Sequence, residues 1–349
     1  MASSRLHAGA VATVAGILGV LGSSTAHAYC RYLTTTPAAW NPVSQGGCFE
    51  GDGIEPAYIL FWNQICVGYS IQQDASRYVT LSDATALAGE AFLAWTSATC
   101  SGQAPPSVQA INNAPVACNI LPTHQNAIIF RDDGWPAEYD SSWLALTSLT
   151  FYINTNDPND PKNGQILGAD MEINESDYRL VANPDAADAS GTGIESFPLL
   201  PVLMHEAGHF LGLAHSADTS ALMYALYHPS SAAGLTEDDR EGICSMALPG
   251  GLRLTSNSGL VDANTTCDPT PFHSSQSQCG VQDTELALPS ESDASSSVSG
   301  ASSTVITSDG GSGCSVASSM APRRSLCEFC GCLVGVAMWR VRRRKGRRG

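Results

Sequence analysis

Basic residues are scarce through most of this chain. Between residues 29 and 320 there are seven lysines and arginines against 32 aspartates and glutamates, which gives that span a net formal charge of −25. A surface this acidic repels nucleic acids and anionic membranes. We therefore expect no nucleic-acid partner, and any membrane contact must come from another part of the chain.

A long apolar run is also missing from the N-terminal region. The run from Ala8 to Leu21 has 14 residues, too few to span a bilayer comfortably. It follows Arg5 and precedes the small-x-small sequence Ala26-His27-Ala28. This order predicts a signal peptide over residues 1–28 and a mature N-terminus at Tyr29. The alternative, a retained membrane anchor, is disfavoured by the short run and the cleavable end.

Cysteine is plentiful, but before residue 314 it forms no metal motif. Eight of the 12 cysteines lie between residues 29 and 313, and none of these eight belongs to a Cys-x-x-Cys pair. A cysteine zinc site or redox motif is therefore not expected there. An even number in an exported chain predicts disulfides. Many pairings are open, and the short-range ones that we expect are Cys30–Cys48, Cys100–Cys118 and Cys267–Cys279.

The strongest pattern is H-E-x-x-H-x-x-G-x-x-H over residues 205–215. His205 and His209 are four residues apart, so on a helix both imidazoles lie on one face and can hold one metal ion. Glu206 lies beside them, within reach of a water molecule on that metal. The pattern therefore predicts a metal ligand pair with an adjacent carboxylate that can move a proton.

The second half of the pattern completes the predicted site. Gly212 can take the left-handed conformation that ends a helix, and His215 can then approach the metal from another side. Three neutral histidines with one open position are typical of catalytic zinc, not of a closed structural site. Met223 follows eight residues after His215. The alternative is a metal-binding relic without turnover, but the third histidine, the glycine and the methionine are independent requirements that are all met.

The extended motif and its methionine resemble the metzincin signature. The sequence from His215 to Tyr224 is similar to the matrixin branch in particular, because Ser216 directly follows the third histidine. Residues 234–243 are also similar to the C-terminal helix of matrixins. The resemblance is dense over residues 199–246, looser over 58–180 and absent from 250–349.

This resemblance implies an α+β fold with a twisted mixed β-sheet, an antiparallel edge strand, an active-site helix and a C-terminal helix. It implies a zinc-dependent endopeptidase with one zinc ion on His205, His209 and His215. Glu206 would act as general base on the zinc-activated water and return the proton to the leaving amine. Met223 would form a turn beneath the metal without binding it. Ala225 stands where matrixins usually have proline, so substrate preference is not implied.

Two other features of matrixins are missing. Many members hold a second, structural zinc on three further histidines, but outside the motif the mature chain has only His124, His228 and His273. We therefore expect one zinc, and interpret these three as surface or ordinary hydrogen-bonding residues. The latency motif P-R-C-G is also absent. Cys30 could take that part, although a plain disulfide is the favoured interpretation.

Periodicity predicts elements before the motif. Residues 66–71 alternate like a strand, and residues 107–111 and 127–130 read as short buried strands. Ser82 is expected to cap a helix with an apolar stripe formed by Ala84, Leu87, Ala88, Ala91, Phe92 and Trp95. The active-site helix is expected to begin near Ser196, with Pro198 and Pro201 in its first turn. Thr236 and Asp239 resemble a capping box for the last helix.

Residues 146–153 and 166–173 predict an antiparallel hairpin joined by an Asn- and Asp-rich turn. By resemblance, 146–153 would be the edge strand whose backbone groups pair with an extended peptide substrate. The turn oxygens could bind calcium. A solvated turn is the commoner outcome for this composition.

The chain divides into four segments: a signal peptide (1–28), a protease domain (29–249), a Ser/Gly-rich linker (250–313) and a tail (314–349). The tail has Gly313-Cys314, an apolar run over 326–339 and then an arginine cluster. This order resembles the C-terminal sorting signals of myxobacterial surface proteins.

The tail resemblance implies transient membrane association, trimming near Cys314 and lipid modification of that thiol. The alternative is an uncleaved basic tail with no sorting role. We expect a secreted or surface-displayed monomer that acts on protein or peptide substrates. A surface-displayed binding module that retains metal without turnover is the rival, and the intact Glu206 argues against it.

Overall fold

The computed structural model describes residues 28–37, 40–102, 104–118, 121, 123–183, 194–228, 234–257, 259–272 and 279, and the backbone of 333–340. The helices are α1 (Pro42–Gln45), α2 (Leu81–Thr96), α3 (Leu199–Phe210) and α4 (Glu237–Met246). The strands are β1 (Cys30–Arg31), β2 (Cys66–Ile71), β3 (Gln109–Asn112), β4 (Ala127–Arg131), β5 (Trp143–Phe151), β6 (Ile166–Asn174), β7 (Arg179–Val181), β8 (Ser196–Pro198), β9 (Leu213–Ala214), β10 (Leu252–Thr255), β11 (Gly259–Asp262) and β12 (Leu333–Arg340).

Six strands form one mixed sheet in the order β12-β5-β6-β4-β2-β3. The β6-β4, β4-β2 and β2-β3 pairs are parallel, whereas β12-β5 and β5-β6 are antiparallel. The predicted strand over 66–71 and the predicted hairpin are both confirmed. With α2 and α3 packed against this sheet, the α+β architecture with an active-site helix and a C-terminal helix is confirmed.

Helix α2 supports α3 from behind. Its buried face is formed by Ala84, Ala88, Ala91, Phe92 and Trp95, as the apolar spacing predicts. The indole Nε1 of Trp95 donates to the carbonyl of Met204 on α3 at 2.7 Å. The predicted cap at Ser82 is wrong. Thr80 caps the helix, because its hydroxyl accepts from the amide of Asp83 at 3.1 Å and the helix begins at Leu81.

Two further sequence expectations need correction. The strand expected at 107–111 is β3, but it is partly exposed because it lies at the outer edge of the sheet. Helix α3 begins at Leu199, not near Ser196. Residues Ser196–Pro198 instead pair in parallel with β7. Extended Pro198 is the residue before the helix, and Pro201 does lie in the first turn, where helical amides have no partner.

Strand β5 lies beside α3, and its antiparallel pairing with β6 was predicted correctly. Its expected position as the edge of the sheet is wrong for this structure, because β12 pairs with its outer side. Strand β12 comes from the tail, where an apolar membrane-associated segment was expected. Within the described part of the chain, no helix combines the length and apolar character needed to cross a bilayer.

Ordered structure continues past residue 249, where the linker was predicted to begin. Strands β10 and β11 form an antiparallel hairpin over residues 252–262. The side chain of Arg253 on this hairpin is 1% exposed. Its guanidinium donates to the carbonyls of Trp62, Gln64, Ser107 and Leu252 and to the Ser107 hydroxyl, at 2.7 to 3.1 Å. The hairpin therefore packs against the segments that contain Trp62, Gln64 and Ser107.

Four disulfides join the eight cysteines that precede residue 314. Cys30–Cys48 is as predicted. The expected pairs Cys100–Cys118 and Cys267–Cys279 are wrong, since the structure pairs Cys66–Cys267, Cys100–Cys244 and Cys118–Cys279. The long-range pairs join segments 144 to 201 residues apart in sequence. Sequence proximity could not indicate them, because the fold brings these segments together.

Candidate metal centre

The three motif histidines converge at the end of α3. Their nearest ring nitrogens all lie within 4.8 Å of one another. The ring centroids of His205 and His209 are 4.6 Å apart, and those of His209 and His215 are 4.8 Å apart. This spacing suits three imidazoles around one small ion. The structure thus brings together all three ligands that the spacing predicts.

Backbone carbonyls orient each ring through its Nδ1 atom. His205 Nδ1 lies 2.6 Å from the Leu222 oxygen, and His209 Nδ1 lies 2.7 Å from the Leu213 oxygen. His215 Nδ1 lies 3.4 Å from the Trp40 oxygen. A carbonyl can only accept, so each Nδ1 carries the proton and each Nε2 has a lone pair.

Two of the three candidate ligands, His205 and His209, lie where burial disfavours a charged ring. Burial, followed by the neighbouring histidines, lowers the pKa of His205 and of His209 well below the usual range. The Nε2 atom of His209 is buried and has no hydrogen-bond partner among the described residues. A buried lone pair without a donor is costly unless a cation or proton meets it. The residues present therefore fit a zinc ion, for which neutral imidazole is a preferred ligand.

Gly212 closes the ligand set by turning the chain. Its φ is +105°, in the left-handed region that favours glycine, as the motif predicts. The chain leaves α3 here and forms β9, which pairs with β1 at the N-terminus. His215 follows β9 directly and so reaches the centre from outside the helix.

Glu206 is fully buried beside the ligands. Burial raises its pKa to about 8, while a hydrogen bond from Thr147 acts in the opposite direction. The Thr147 hydroxyl on β5 donates to Glu206 Oε2 at 2.6 Å. Oxygen Oε1 has no hydrogen-bond partner in the described residues. One carboxylate oxygen is therefore anchored, and the other is available to a reacting group.

The turn at Met223 lies beneath the histidines. Gly208 of α3 faces the sulfur of Met223 and the ring of Trp95 so closely that a Cβ atom there would clash with both. Asp239 of α4 holds the turn, because its carboxylate accepts from the amides of Leu222 and Met223 at 2.8 and 3.0 Å. Asp239 also completes the predicted capping box with Thr236. Sequence reasoning identified only the second role.

The N-terminal segment packs on the site from the opposite side. The rings of Tyr32 and His209 are 5.7 Å apart. Burial, followed by the nearby charge of Glu206, raises the pKa of Tyr32. Trp40 contributes the carbonyl that faces His215. Since Cys30 is bonded to Cys48, it has no thiol to block a metal, and the latency alternative for Cys30 is wrong.

The predicted mature N-terminus also lies close to the centre. The amide of Tyr29 donates to Asp238 Oδ1 at 2.8 Å, and the amide of Ala28 donates to the same oxygen at 2.9 Å. The other oxygen, Oδ2, accepts from the hydroxyl of Ser216 at 2.6 Å. Asp238 thereby joins the predicted start of the mature chain to the residue that follows His215.

The remaining histidines do not form a second centre in the described ranges. His228 is half-buried and close enough to His205 to affect its pKa, which the sequence did not indicate. His273 lies outside the described residues.

The turn proposed for calcium has oxygens that already accept protein hydrogen bonds. Asp160 Oδ2 accepts from Asn154 Nδ2 at 3.0 Å and from the Tyr152 hydroxyl at 3.1 Å. Calcium binding stays a prediction.

The fold and the centre together define a metzincin-like α+β domain. Residues 131–247 match the family model described as matrixin. Human matrix metalloproteinase-20 is 45% identical over 67 residues, which are 19% of this chain and 14% of that protein. Interstitial collagenase of Bos taurus is 46% identical over 58 residues, 17% of this chain and 12% of that protein.

A plant protein gives a match of similar extent. Metalloendoproteinase 1 of Glycine max is 39% identical over 70 residues, 20% of this chain and 22% of that protein. The chain therefore covers less than a quarter of each of these three relatives. The matches support a matrixin-like metalloprotease, and the residues of the family match include the three histidines and Glu206.

Proposed function

We propose that this chain is a zinc-dependent endopeptidase. The observation that supports the proposal best is the buried set of three histidines, each with its Nδ1 on a backbone carbonyl, beside a carboxylate with one anchored oxygen. His205, His209 and His215 would hold the ion. When bound, zinc lowers the pKa of a coordinated water to about 7 and polarises the scissile carbonyl.

The protein residues then supply positioning and proton transfer. Glu206 accepts the proton of the attacking water and returns it to the leaving amine. A raised pKa suits this double role, because a base that later acts as an acid works best when its pKa is near the working pH. Thr147 fixes the orientation of the carboxylate.

Two substitutions test this assignment on the purified full chain. Glu206→Ala should retain about one zinc per chain but lose hydrolysis of an unfolded casein-like substrate, because Glu206 moves the proton and does not hold the ion. His209→Ala should lose both zinc and activity. Glu90→Ala, at an exposed position on α2, is the matched control and should change neither.

Turnover in Glu206→Ala close to that of the unchanged protein would contradict the mechanism. Full zinc occupancy in His209→Ala would remove His209 from the ligand set. A protein that binds zinc but cleaves no peptide in a diverse library would instead favour the binding-module alternative. The same library would identify the cleavage preference, on which Ala225 gives no guidance.

Export to the outside of the cell belongs to the same proposal. Cleavage of the signal peptide after Ala28 would place the new α-amino group of Tyr29 next to Asp238, whose carboxylate already accepts from that nitrogen. We further propose that the tail is trimmed near Cys314. Mass spectrometry of the mature protein tests both ends. An N-terminus other than Tyr29, or recovery of peptides beyond Arg324, would contradict the corresponding step.

A further inference from the structure

Strand β12 covers the whole outer side of β5. The pairing runs antiparallel from Leu333 opposite Phe151 to Arg340 opposite Trp143. Because β6 occupies the other side of β5, the outer side is where any further strand would have to add. The backbones of α3 and β12 also lie close to each other. The C-terminal segment therefore pairs with β5 and lies close to α3, the helix that carries His205, Glu206 and His209.

The pairing of β12 with β5 includes the residue of β5 that binds Glu206. Thr147 of β5 donates to Glu206 Oε2 at 2.6 Å. In the register of the sheet, Ala337 of β12 lies opposite Thr147. The backbone of β12 thus occupies the position along β5 that is nearest to Glu206, with several paired residues on either side of it.

An extended peptide and β12 cannot both pair with this edge. Each backbone N–H and C=O of β5 forms its ladder bond with one neighbouring strand at a time. A substrate bound by strand addition needs those same groups. We propose that residues 333–340 are an autoinhibitory strand that keeps substrates from β5 until the C-terminal tail is removed. This inference rests on the proposed peptidase function.

The strand can reach β5 within one chain. About 50 residues separate Cys279 from Leu333, which at about 3.3 Å per residue can extend far beyond the width of a domain. These intervening residues are rich in Ser and Gly. A tether of this kind gives an effective concentration of up to about a millimolar. A strand that binds too weakly to inhibit between molecules can therefore inhibit its own domain.

Charge favours the same arrangement. The tail has nine basic residues from Arg323 onward, whereas residues 29–320 carry a net charge of −25. These opposite charges attract the tail to the domain, and the attraction weakens as salt is added. Trimming near Cys314 would remove residues 333–340 together with the basic cluster. Processing of the tail would then expose β5 and activate the enzyme in one step.

The first test uses a full-length chain that is cut only after it has folded. A recognition sequence for a site-specific protease is inserted between Ser302 and Ser303, and zinc-loaded full-length protein is assayed before and after cleavage with an extended fluorogenic peptide. We expect kcat/KM to rise at least about tenfold after release, as a strand at millimolar effective concentration can impose that much inhibition. Mass spectrometry confirms that the uncut sample remains intact during the assay.

A double variant weakens the pairing without cutting the chain. The variant is Val334→Pro with Gly335→Pro. Along an antiparallel strand, every second residue hydrogen-bonds to its neighbour, so one of these two residues must bond to β5. Proline has no N–H to donate, and the pair therefore removes a hydrogen bond to β5 in either case. It should raise the activity of the uncut chain, whereas Ser302→Pro with Ser303→Pro should not. A synthetic peptide with the sequence of residues 333–340 should inhibit the cut protein competitively, and a scrambled peptide should not.

Equal, Glu206-dependent activity before and after release would overturn the autoinhibition while leaving the proposed function intact. Absence of hydrolysis in both samples, despite bound zinc, would contradict the proposed function itself. Specific activity of the uncut chain that falls as protein concentration rises would show that β12 inhibits a second copy, and would overturn the arrangement within one chain.

Discussion

At the residue scale, the spacing of the motif predicted the metal centre well and its supporting residues poorly. His205, His209, His215 and Glu206 lie within 11 residues of sequence, so helix geometry alone relates most of them. Thr147 is 59 residues away from Glu206, yet its hydroxyl makes the shortest contact with the catalytic carboxylate. Nothing in the pattern of β5 distinguishes Thr147 from any other strand residue, because its role depends on the packing of β5 against α3.

Thr147→Val should slow catalysis without removing the metal. Valine has nearly the same shape but cannot donate to Glu206, so the carboxylate loses its anchor and kcat/KM should fall about tenfold, as for the loss of a hydrogen bond to a charged group. That bond lowers the pKa of Glu206. Its loss should raise this pKa and shift the acidic limb of the pH profile for kcat/KM to higher pH.

Thr147→Ser is the matched control for this variant, since serine keeps the hydroxyl. It should retain most of the activity and an unshifted acidic limb. If Thr147→Val loses activity with an unchanged pH profile, the effect is one of packing. In that case the hydrogen bond from Thr147 to Glu206 does not contribute to catalysis.

At the element scale, local signals predicted which elements exist, while tertiary contacts decided where they begin and what surrounds them. The capping box at Thr236 and Asp239 is local and was found. The start of α3 was misplaced, because Ser196–Pro198 pairs with β7, and this pairing was invisible in the sequence. The β10–β11 hairpin was assigned to the linker, since its composition is polar and its anchor is a single buried arginine.

Arg253→Ala should destabilise the domain by about 3 kcal/mol, because buried carbonyls would lose charged donors and have no replacement. Arg253→Lys keeps the charge with fewer donors and should have an intermediate effect. Arg240→Ala removes an arginine whose ion pair with Glu237 is partly exposed, and should change stability by less than about 1 kcal/mol. Denaturant unfolding with disulfides intact measures all three. Equal losses for Arg253→Ala and Arg240→Ala would show that the hairpin does not anchor the domain.

At the scale of the whole molecule, the candidate metal centre is surrounded by residues from segments near both ends of the described part of the chain. The N-terminal segment supplies Tyr32 and the carbonyl of Trp40. Asp238 of α4 binds the amide of Tyr29, and Asp239 holds the turn at Met223. Residues 250–272 close the domain from below through Arg253 and Cys66–Cys267. The metal centre is thus supported by segments that are far apart in sequence.

The purified chain should contain about one zinc, because the described residues form one cluster able to hold a metal. Metal analysis after gel filtration measures the ratio, and His209→Ala should bring it close to zero. Removal of zinc by a chelator should also lower the melting temperature, since the bound state is stabilised by the free energy of binding. Two tightly bound zinc ions per chain would reveal a second site that neither the sequence nor this geometry indicates.

The sequence by itself determined the candidate metal centre and the chemistry proposed for it. Helical spacing related His205 to His209, a glycine allowed the turn to His215, and periodicity located β2, β4 and the β5–β6 hairpin, since all of these depend on neighbours along the chain. Tertiary structure decided the long-range disulfides, the anchors at Thr147, Trp40 and Arg253, and the strand that covers β5. Each of these depends on segments that meet only after folding, so no local pattern carries them.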